Sequence, residues 1–154
     1  MLKLFQYNWQ VREEWFALCR GLPQEELLKE RTGGVGSILK TLFHIVEAEY
    51  SWIDALKGNS PEEPDFNDYR SLERVEQLQA QYRPDVLAFV EAWTDEQEIH
   101  NLIVPWNTNV SCTYGEVMRH VIAHEIHHVG QLSVWSRELG IKPPSANFVG
   151  RGLA

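Results

Sequence analysis

The sequence predicts an all-α protein, a bundle of four long helices. Three observations carry this prediction. Apolar residues recur at intervals of three or four along four long segments, Gly- or Pro-rich breaks separate these segments, and a Thr-x-x-Glu capping box opens the last one. A chain of 154 residues has the size of one ordinary domain, so we expect a single domain over 1–154.

The first half of the chain divides into two long helices and a short one. Core positions at helical spacing predict the first long helix over 2–20. A short helix or turn is predicted over 23–31, and the glycine-rich break after it separates this piece from the next helix. The second long helix is predicted over about 37–57, with Ser37 or Gly36 as its N-cap.

The second half contains the other two long helices and an irregular crossover between them. The third helix is predicted over 71–93, where the apolar stripe continues past Pro84, so we expect a kink on the exposed side. Short apolar runs on both sides of 107–109 predict a small hairpin within 94–112. The capping box and a sustained periodic run predict the last helix over 113–139.

The composition excludes several classes of partner. The chain has 14 basic and 22 acidic residues and a net charge of -8, which argues against nucleic acid because phosphate binding requires clustered Lys and Arg. Apolar runs stay well below the roughly 20 residues of a membrane span, so we expect no membrane partner. Only Cys19 and Cys112 are present, which favours a reducing, cytoplasmic location.

Histidines are concentrated in the last helix, where four of the six fall within nine residues. The core stripe of this helix passes through His124 and His128, whose Cβ atoms lie about 5–6 Å apart in a helix, close enough to bind one divalent ion. A pair of buried carboxylates, or ordinary hydrogen bonding in the core, would also satisfy them. His120 and His127 lie on the flank of the same face, where we expect residues that surround a site rather than ligands.

The segment from His124 to His128 also matches the H-E-x-x-H pattern of zinc proteases. The extended protease pattern requires Gly and His at positions that hold Gln131 and Val134 here. We therefore disfavour a protease. Glu125 is then free to be a solvated carboxylate or one that lies behind a metal ligand.

A catalytic zinc site usually has three protein ligands, so one more is needed from earlier in the chain. His44 and His100 are the candidates, with Glu47 and Glu49 behind them. Small side chains share the face of His44, which permits close approach of another helix. Glu49 lies within the apolar arc of the second helix, where it either accepts from a ligand imidazole or pairs with an Arg at the rim. Spacing alone leaves the third ligand open.

Two runs of sequence resemble a known family. Residues 36–52 and 115–131, the latter followed by Leu139-Gly-Ile-Lys-Pro-Pro144, are similar to the second- and fourth-helix motifs of the DinB/YfiT-like proteins. The resemblance implies a four-helix bundle of up-down-down-up connectivity that is often a homodimer. It also implies a divalent metal, zinc or nickel, held by three histidines, which by position are His44, His124 and His128.

Characterised members of that family are metal-dependent enzymes that use low-molecular-weight thiols such as bacillithiol. The resemblance therefore implies a thiol S-transferase that acts on electrophilic small molecules. We expect Glu125 and His127 to carry protons, and Glu49 and His120 to support the ligands. Two alternatives stay open: a metal-binding bundle protein without activity, linked to a stress response, and a metal-dependent hydrolase.

Overall fold

The computed structural model describes residues 1–153, in which five α-helices and one two-stranded sheet form. The helices are α1 (Leu2–Cys19), α2 (Gln24–Leu28), α3 (Ile38–Leu56), α4 (Leu72–Glu91) and α5 (Tyr114–Glu138), and the strands are β1 (Asn101–Ile103) and β2 (Ser111–Thr113). Two 3-10 turns, Phe66–Tyr69 and Asp95–Ile99, precede α4 and β1. The predicted all-α class is therefore confirmed, with bounds of the long helices within about two residues of those predicted.

Side-chain caps fix where the long helices begin. Of the two candidates for the start of α3, Ser37 is the N-cap, and its side chain accepts a hydrogen bond from the Lys40 N–H. At the start of α5 the Thr113 hydroxyl accepts from the Glu116 N–H at 3.2 Å, and the Glu116 carboxylate accepts from the Thr113 N–H at 2.6 Å. The predicted capping box is therefore present.

The irregular features of the second half follow the prediction in part. Helix α4 continues through Pro84, which is exposed, so the missing N–H faces solvent rather than the core. Strands β1 and β2 pair antiparallel with Leu102 opposite Cys112, which is the predicted hairpin. The 3-10 turn at Asp95–Ile99 was not expected; it is opened by a capping box between Thr94 and Gln97.

The long helices pack side by side around two apolar clusters. Helix α3 packs against α4 and α5, and α1 also packs against α4 and α5. One cluster includes Trp15 and Leu132, and the other includes Phe5, Ile53 and Met118. Along α1, α3 and α5 the sequence between these clusters contains a buried charged residue, so the apolar core is interrupted at that depth.

Within 1–153, none of the helices combines the length and the apolar character that a membrane crossing requires.

Candidate metal centre

Three histidines from two helices converge on one point. The Nε2 atom of His124 lies 3.0 Å from Nε2 of His44 and 3.2 Å from Nε2 of His128. The ligand atoms of all three lie within 4.8 Å of one another. His124 and His128 are one turn apart on α5, and His44 reaches them from α3 across 80 residues of sequence. The structure thus brings together the three residues that the family resemblance implied.

Contacts at both ends of the α3–α5 interface hold His44 in register with α5. On one side the Trp52 ring packs edge-on against His120, with ring centroids 5.3 Å apart. On the other side the Trp135 indole N–H donates to the Thr32 carbonyl at 3.2 Å, which ties the glycine-rich segment before α3 to the end of α5. The small side chains on the face of α3 that holds His44 allow this close approach.

The spacing of the three imidazoles fits a small divalent ion. Ligand nitrogens 2.0–2.1 Å from a tetrahedral zinc lie about 3.3–3.4 Å from each other. The observed separations of 3.0 and 3.2 Å fall a few tenths of an ångström short of this value. Hydrogen bonds among the three imidazoles satisfy their converging ring nitrogens only in part. A cation bound between these nitrogens would satisfy all three.

The tautomer of His128 is set by Gln131. Nδ1 of His128 lies 2.7 Å from the Gln131 side-chain oxygen, which can only accept, so Nδ1 carries the proton and the Nε2 lone pair faces the other two histidines. The other end of the same amide, Nε2 of Gln131, lies 3.0 Å from Nε2 of His127. Gln131 therefore links an exposed histidine to a candidate ligand.

The carboxylate nearest to His44 is Glu47. Oε2 of Glu47 lies 3.7 Å from Nδ1 of His44, and its Oε1 accepts a hydrogen bond from the Ser51 hydroxyl at 2.8 Å. This negative charge favours a proton on Nδ1 and leaves Nε2 of His44 free to bind a cation. The sequence predicted Glu49, rather than Glu47, as the carboxylate that supports a ligand. Glu49 lies two residues after Glu47, and a step of two residues along a helix turns the side chain by about 200°, to the opposite face.

Glu49 and Glu125 belong instead to a buried ion cluster around Arg12. The Arg12 guanidinium donates from Nη1 and Nη2 to Glu49 at 2.9 and 2.8 Å, and from Nε to Glu125 at 2.8 Å. Arg12 and Glu125 are 1% and 2% exposed, so Glu125 is not solvated, and the partner of Glu49 lies in the core rather than at the rim. Both oxygens of Glu125 accept from Arg12, which corrects the expectation that this carboxylate serves the site.

Charges within the cluster shift its pKa values in opposite directions. Burial alone would lower the pKa of Arg12, but Glu125 and Glu49 raise it, so it stays a cation. Burial opposes ionisation of Glu49, yet Arg12 and Arg83 hold its pKa below the usual range. Burial dominates at Glu125 and raises its pKa despite Arg12. Arg83, stacked 4.2 Å from the Trp9 ring centroid, has its pKa lowered to about 10 by burial and by the charge of Arg12.

The candidate ligands on α5 are kept neutral. Burial, together with the neighbouring imidazoles of His44 and His128, lowers the pKa of His124 to about 3. Burial also lowers the pKa of His128, although its hydrogen bond to Gln131 acts in the other direction. Neutral imidazole is the form that binds metal, so the site does not have to lose protons from these two rings at neutral pH.

A cleft of about 230 Å³ opens next to the cluster. His44 and His124 form part of its wall, and the exposed His120 lies beside them. Larger cavities of about 400 and 460 Å³ exist elsewhere, but within 1–153 neither is lined by a histidine, so the smaller cleft is the one relevant to this site. His100, the other candidate for the third ligand, packs against Tyr114 with ring centroids 5.6 Å apart and is not in the cluster.

The sequence is similar to known proteins over nearly its whole length. A family model described as the DinB family matches residues 1–151. The chain belongs to the DinB family. It is 49% identical over 153 residues to the YizA protein of Bacillus subtilis, covering 99% of this chain and 96% of that protein. It is 20% identical over 146 residues to the DinB protein of the same organism, covering 90% and 85% of the two chains.

A solved structure supports the fold of this DinB-family chain. The crystal structure of a DinB-like protein from Bacillus cereus superposes with a TM-score of 0.68 over 92% of this chain and 94% of that one. The two sequences are 19% identical, so this likeness concerns the fold.

Two supporting contacts in this DinB-family site were not predicted, although Glu47 itself was named as a candidate ligand behind His44 and His100. Glu47 lies three positions after His44, which puts it on the same helical face, so a sequence signal for it existed. Gln131 lies three positions after His128 and four after His127 by the same rule. Gln131 matters because it sets the tautomer of His128. That role could not be predicted from the sequence, because it requires knowing that Nε2 of His128 faces the other two histidines.

Proposed function

We propose that this DinB-family protein is a divalent-metal-dependent enzyme, a thiol S-transferase that acts on electrophilic small molecules. His44, His124 and His128 would hold the ion, zinc or nickel, and a low-molecular-weight thiol such as bacillithiol would be the second substrate. The observation that carries the proposal is the convergence of three Nε2 atoms beside an open cleft.

The donor set supports a catalytic rather than a closed site. Three imidazoles leave one position of a tetrahedral ion free, whereas structural zinc sites fill all four with protein ligands. When bound, the ion would lower the pKa of a thiol at that position and so supply a thiolate. In the transfer the thiol loses its S–H proton, the sulfur forms a bond to the electrophilic carbon, and the leaving group departs with the bonding electron pair.

Side chains around the cluster would orient the ligands and accept the proton. Gln131 and Glu47 hold the tautomers of His128 and His44, which is the main task of groups behind a metal ligand. His127 stays our proposal for a proton carrier because it is exposed and contacts Gln131. His120 stays our proposal for a residue that supports the ligands, because it lines the cleft and its ring packs against that of His124. We propose no proton transfer by Glu125, because both of its carboxylate oxygens accept hydrogen bonds from Arg12.

Metal content tests the first half of the proposal. We expect one equivalent of zinc or nickel per chain after reconstitution, and loss of stoichiometric binding in His44→Ala, His124→Ala and His128→Ala. His100→Ala is the matched control, because His100 lies outside the cluster and its variant should bind metal as the wild type does. Unchanged metal uptake in His124→Ala would overturn the site.

Thiol consumption tests the second half. Metal-loaded protein is incubated with bacillithiol, glutathione or cysteine and an electrophile such as a haloarene, and loss of free thiol is followed with the metal-free protein as control. Metal-dependent loss with at least one thiol is expected. If metal binds stoichiometrically and no thiol is consumed in any combination, the protein is a metal-binding bundle without this activity.

The finer architecture is also proposed. We infer an up-down-down-up four-helix bundle, supported by the order of contacts. Asn8 and Arg12 contact Ile122 and Glu125 in the same chain order, whereas the contacts of α3 with α5 run in the opposite order. We also infer a homodimer, for which the exposed apolar residues Ile126 and Val134 on α5 offer a surface that a partner would cover.

The two cysteine thiols support a proposed cytoplasmic location of the protein. Cys19 and Cys112 are both free in the part of the chain that the structure describes, which is consistent with a cytoplasmic protein.

Size-exclusion mass of the purified protein tests the proposed homodimer, and a monomeric mass would overturn it.

A further inference from the structure

The cleft beside the three histidines has an unusual lining. Besides His44 and His124 it is walled by two indoles, Trp52 and Trp106, and by two carboxylates. Among the described residues, neither Lys nor Arg lines it. A wall of π faces and carboxylates without a basic side chain attracts cations and repels anions.

The two indoles form a corner rather than a flat wall. The rings of Trp52 and Trp106 have centroids 4.7 Å apart and planes inclined by 74°. Trp52 is held in place by the edge-on contact with His120, whereas Trp106 is 44% exposed and comes from the segment between β1 and β2. Such perpendicular indoles present ring faces of negative potential in two directions, which suits an ammonium group.

The two carboxylates of the cleft differ in availability. Glu47 is occupied by the Ser51 hydroxyl and by the nearby imidazole of His44. Glu63 is exposed and, within residues 1–153, makes neither a hydrogen bond from its side chain nor an ion pair. Glu63 is therefore the acid in this cleft whose charge is free to pair with a ligand.

We propose that Glu63, Trp52 and Trp106 form a subsite for the cationic end of a substrate whose other end reaches the three histidines. The inference rests on the proposed function, because the site that it extends is the proposed metal centre. The substrate class is a compact molecule with an ammonium or similar cationic group, which the exposed acid and the indole faces bind together.

Size and charge narrow the class further. A volume of about 230 Å³ lies below the range of roughly 300–1,000 Å³ typical of sites for drug-sized ligands, so only a small molecule fits within the cleft. A molecule with a carboxylate at the far end would meet Glu63 and lose affinity through like-charge repulsion, so we assign the subsite to the electrophilic substrate and not to the carboxylate-bearing thiols named above.

A pair of thiols of equal shape tests the subsite. Cobalt(II)-loaded full-length protein is titrated with thiocholine, which has a quaternary ammonium group, and with its neutral isostere 3,3-dimethylbutane-1-thiol. The absorption of cobalt coordinated by thiolate reports binding without turnover, and the ratio of the two Kd values gives the preference for the cation. Comparing this ratio between variants cancels the different acidities of the two thiols.

The variants separate the acid from the indole. Glu63→Gln is expected to reduce the preference for thiocholine about 2- to 5-fold, the range for an exposed ion pair. Trp106→Leu should reduce it by a similar factor, the range for an exposed cation–π contact. Glu62→Gln is the matched control, because the neighbouring exposed acid does not line the cleft and its removal changes the net charge equally.

Failure of the subsite and failure of the metal centre give different results. If the thiolate absorption appears but the ratio is the same in wild type, Glu63→Gln and Trp106→Leu, the subsite is overturned and the metal centre stands. An equal fall in Glu62→Gln and Glu63→Gln also overturns it, since general surface charge then explains the preference. If cobalt is not taken up, or neither thiol gives the absorption, the proposed function falls and the subsite with it.

Discussion

Arg12 donates a hydrogen bond from Nε to Oε1 of Glu125 at 2.8 Å, across 113 residues of sequence. Glu125 directly follows His124, and the same guanidinium binds Glu49, five residues after His44. One buried cation therefore joins the two helices that supply the three-histidine cluster. Through these contacts the first helix, which contributes no candidate ligand, determines how the two ligand-bearing helices sit against each other.

We predict that Arg12→Met strongly destabilises the protein. Removing the cation leaves the Glu49 and Glu125 carboxylates buried without their ion-pair partner, with only the Trp9 indole N–H still donating to Glu49, and breaking a buried ion pair in this way typically costs about 3–5 kcal/mol. The free energy of unfolding in urea measures this loss. Arg20→Met is the control: its ion pair with Glu76 lies at the surface, so its urea midpoint should match that of the wild type.

The combined variant Arg12→Met, Glu49→Gln and Glu125→Gln should recover part of the lost stability. Neutral amides in place of the carboxylates remove the unpaired charges, which are the main cost in the single variant. If Arg12→Met alone were as stable as the wild type, the view that this ion cluster stabilises the fold would be contradicted.

We predict that Gln131→Leu weakens metal binding about 10- to 100-fold, the usual range for a group behind a metal ligand. Without the amide oxygen, Nδ1 of His128 loses the acceptor that keeps Nε2 unprotonated. Gln131→Glu retains an acceptor at this position and should bind metal at least as well as the wild type. Competition with a chelating dye measures the affinity.

Ser133→Ala serves as the control for the Gln131 variants. Ser133 lies on the same helix, but its hydroxyl donates to the Val129 carbonyl and has no contact with the cluster. Equal affinities for Gln131→Leu and Ser133→Ala would show that the tautomer of His128 is not set by Gln131.

The sequence was sufficient to predict the local features of this protein. The helix bounds, the Thr113–Glu116 capping box and the hairpin each depend on residues close together in the chain, where spacing and capping rules apply. The inward placement of His124 and His128 also followed from helical spacing alone. His44 was singled out by the family resemblance, because spacing within one helix says little about which face meets another.

The ion cluster could not be predicted for a related reason. Arg12 is followed by the acidic pair Glu13 and Glu14 on an otherwise ordinary amphipathic helix, and a single Arg at such a position is usually solvent-exposed. Its burial depends on carboxylates 37 and 113 residues away. The sequence alone does not show that these residues are partners. Glu49 and Glu125 each lie near a candidate ligand in the sequence, so they were predicted to support the metal site.

We predict that the metal-free protein loses stability as the pH falls from 7 to 5. The pKa of His124 is lowered from its usual 6.5 to about 3, and that of His128 is lowered as well. Below pH 6.5 the unfolded chain therefore binds protons that the folded chain does not, so acidification favours unfolding. Among the buried carboxylates, the pKa of Glu49 is lowered, so Glu49 contributes little between pH 5 and 7, whereas the raised pKa of Glu125 acts in the opposite direction and is shared by the wild type and the variant compared with it below.

Urea denaturation of the metal-free protein at pH 7, 6 and 5 measures the effect. The variant His124→Gln with His128→Gln lacks the two titrating rings and should show a flatter dependence. The same slope in the wild type and this variant would assign the pH dependence to other groups.

We predict that Gly34→Ala weakens metal binding although Gly34 is not a ligand. A Cβ atom at this position would lie 2.6 Å from Oε1 of Gln131 and 3.0 Å from Cη2 of Trp135, so the Gln131 amide has to move away from His128. The backbone φ of +55° adds strain for any residue other than glycine.

Gly33→Ala separates the contact from the strain. Its φ of +85° is also left-handed, but a Cβ there has no neighbour within 4 Å. Both variants should therefore lose stability, by about 1–2 kcal/mol for the left-handed conformation. Only Gly34→Ala should lower the metal affinity, by a factor approaching that of Gln131→Leu, because only its methyl group displaces the amide that orients His128. Equal metal affinities for the two alanine variants would mean that the glycine segment supports the fold but not the metal centre.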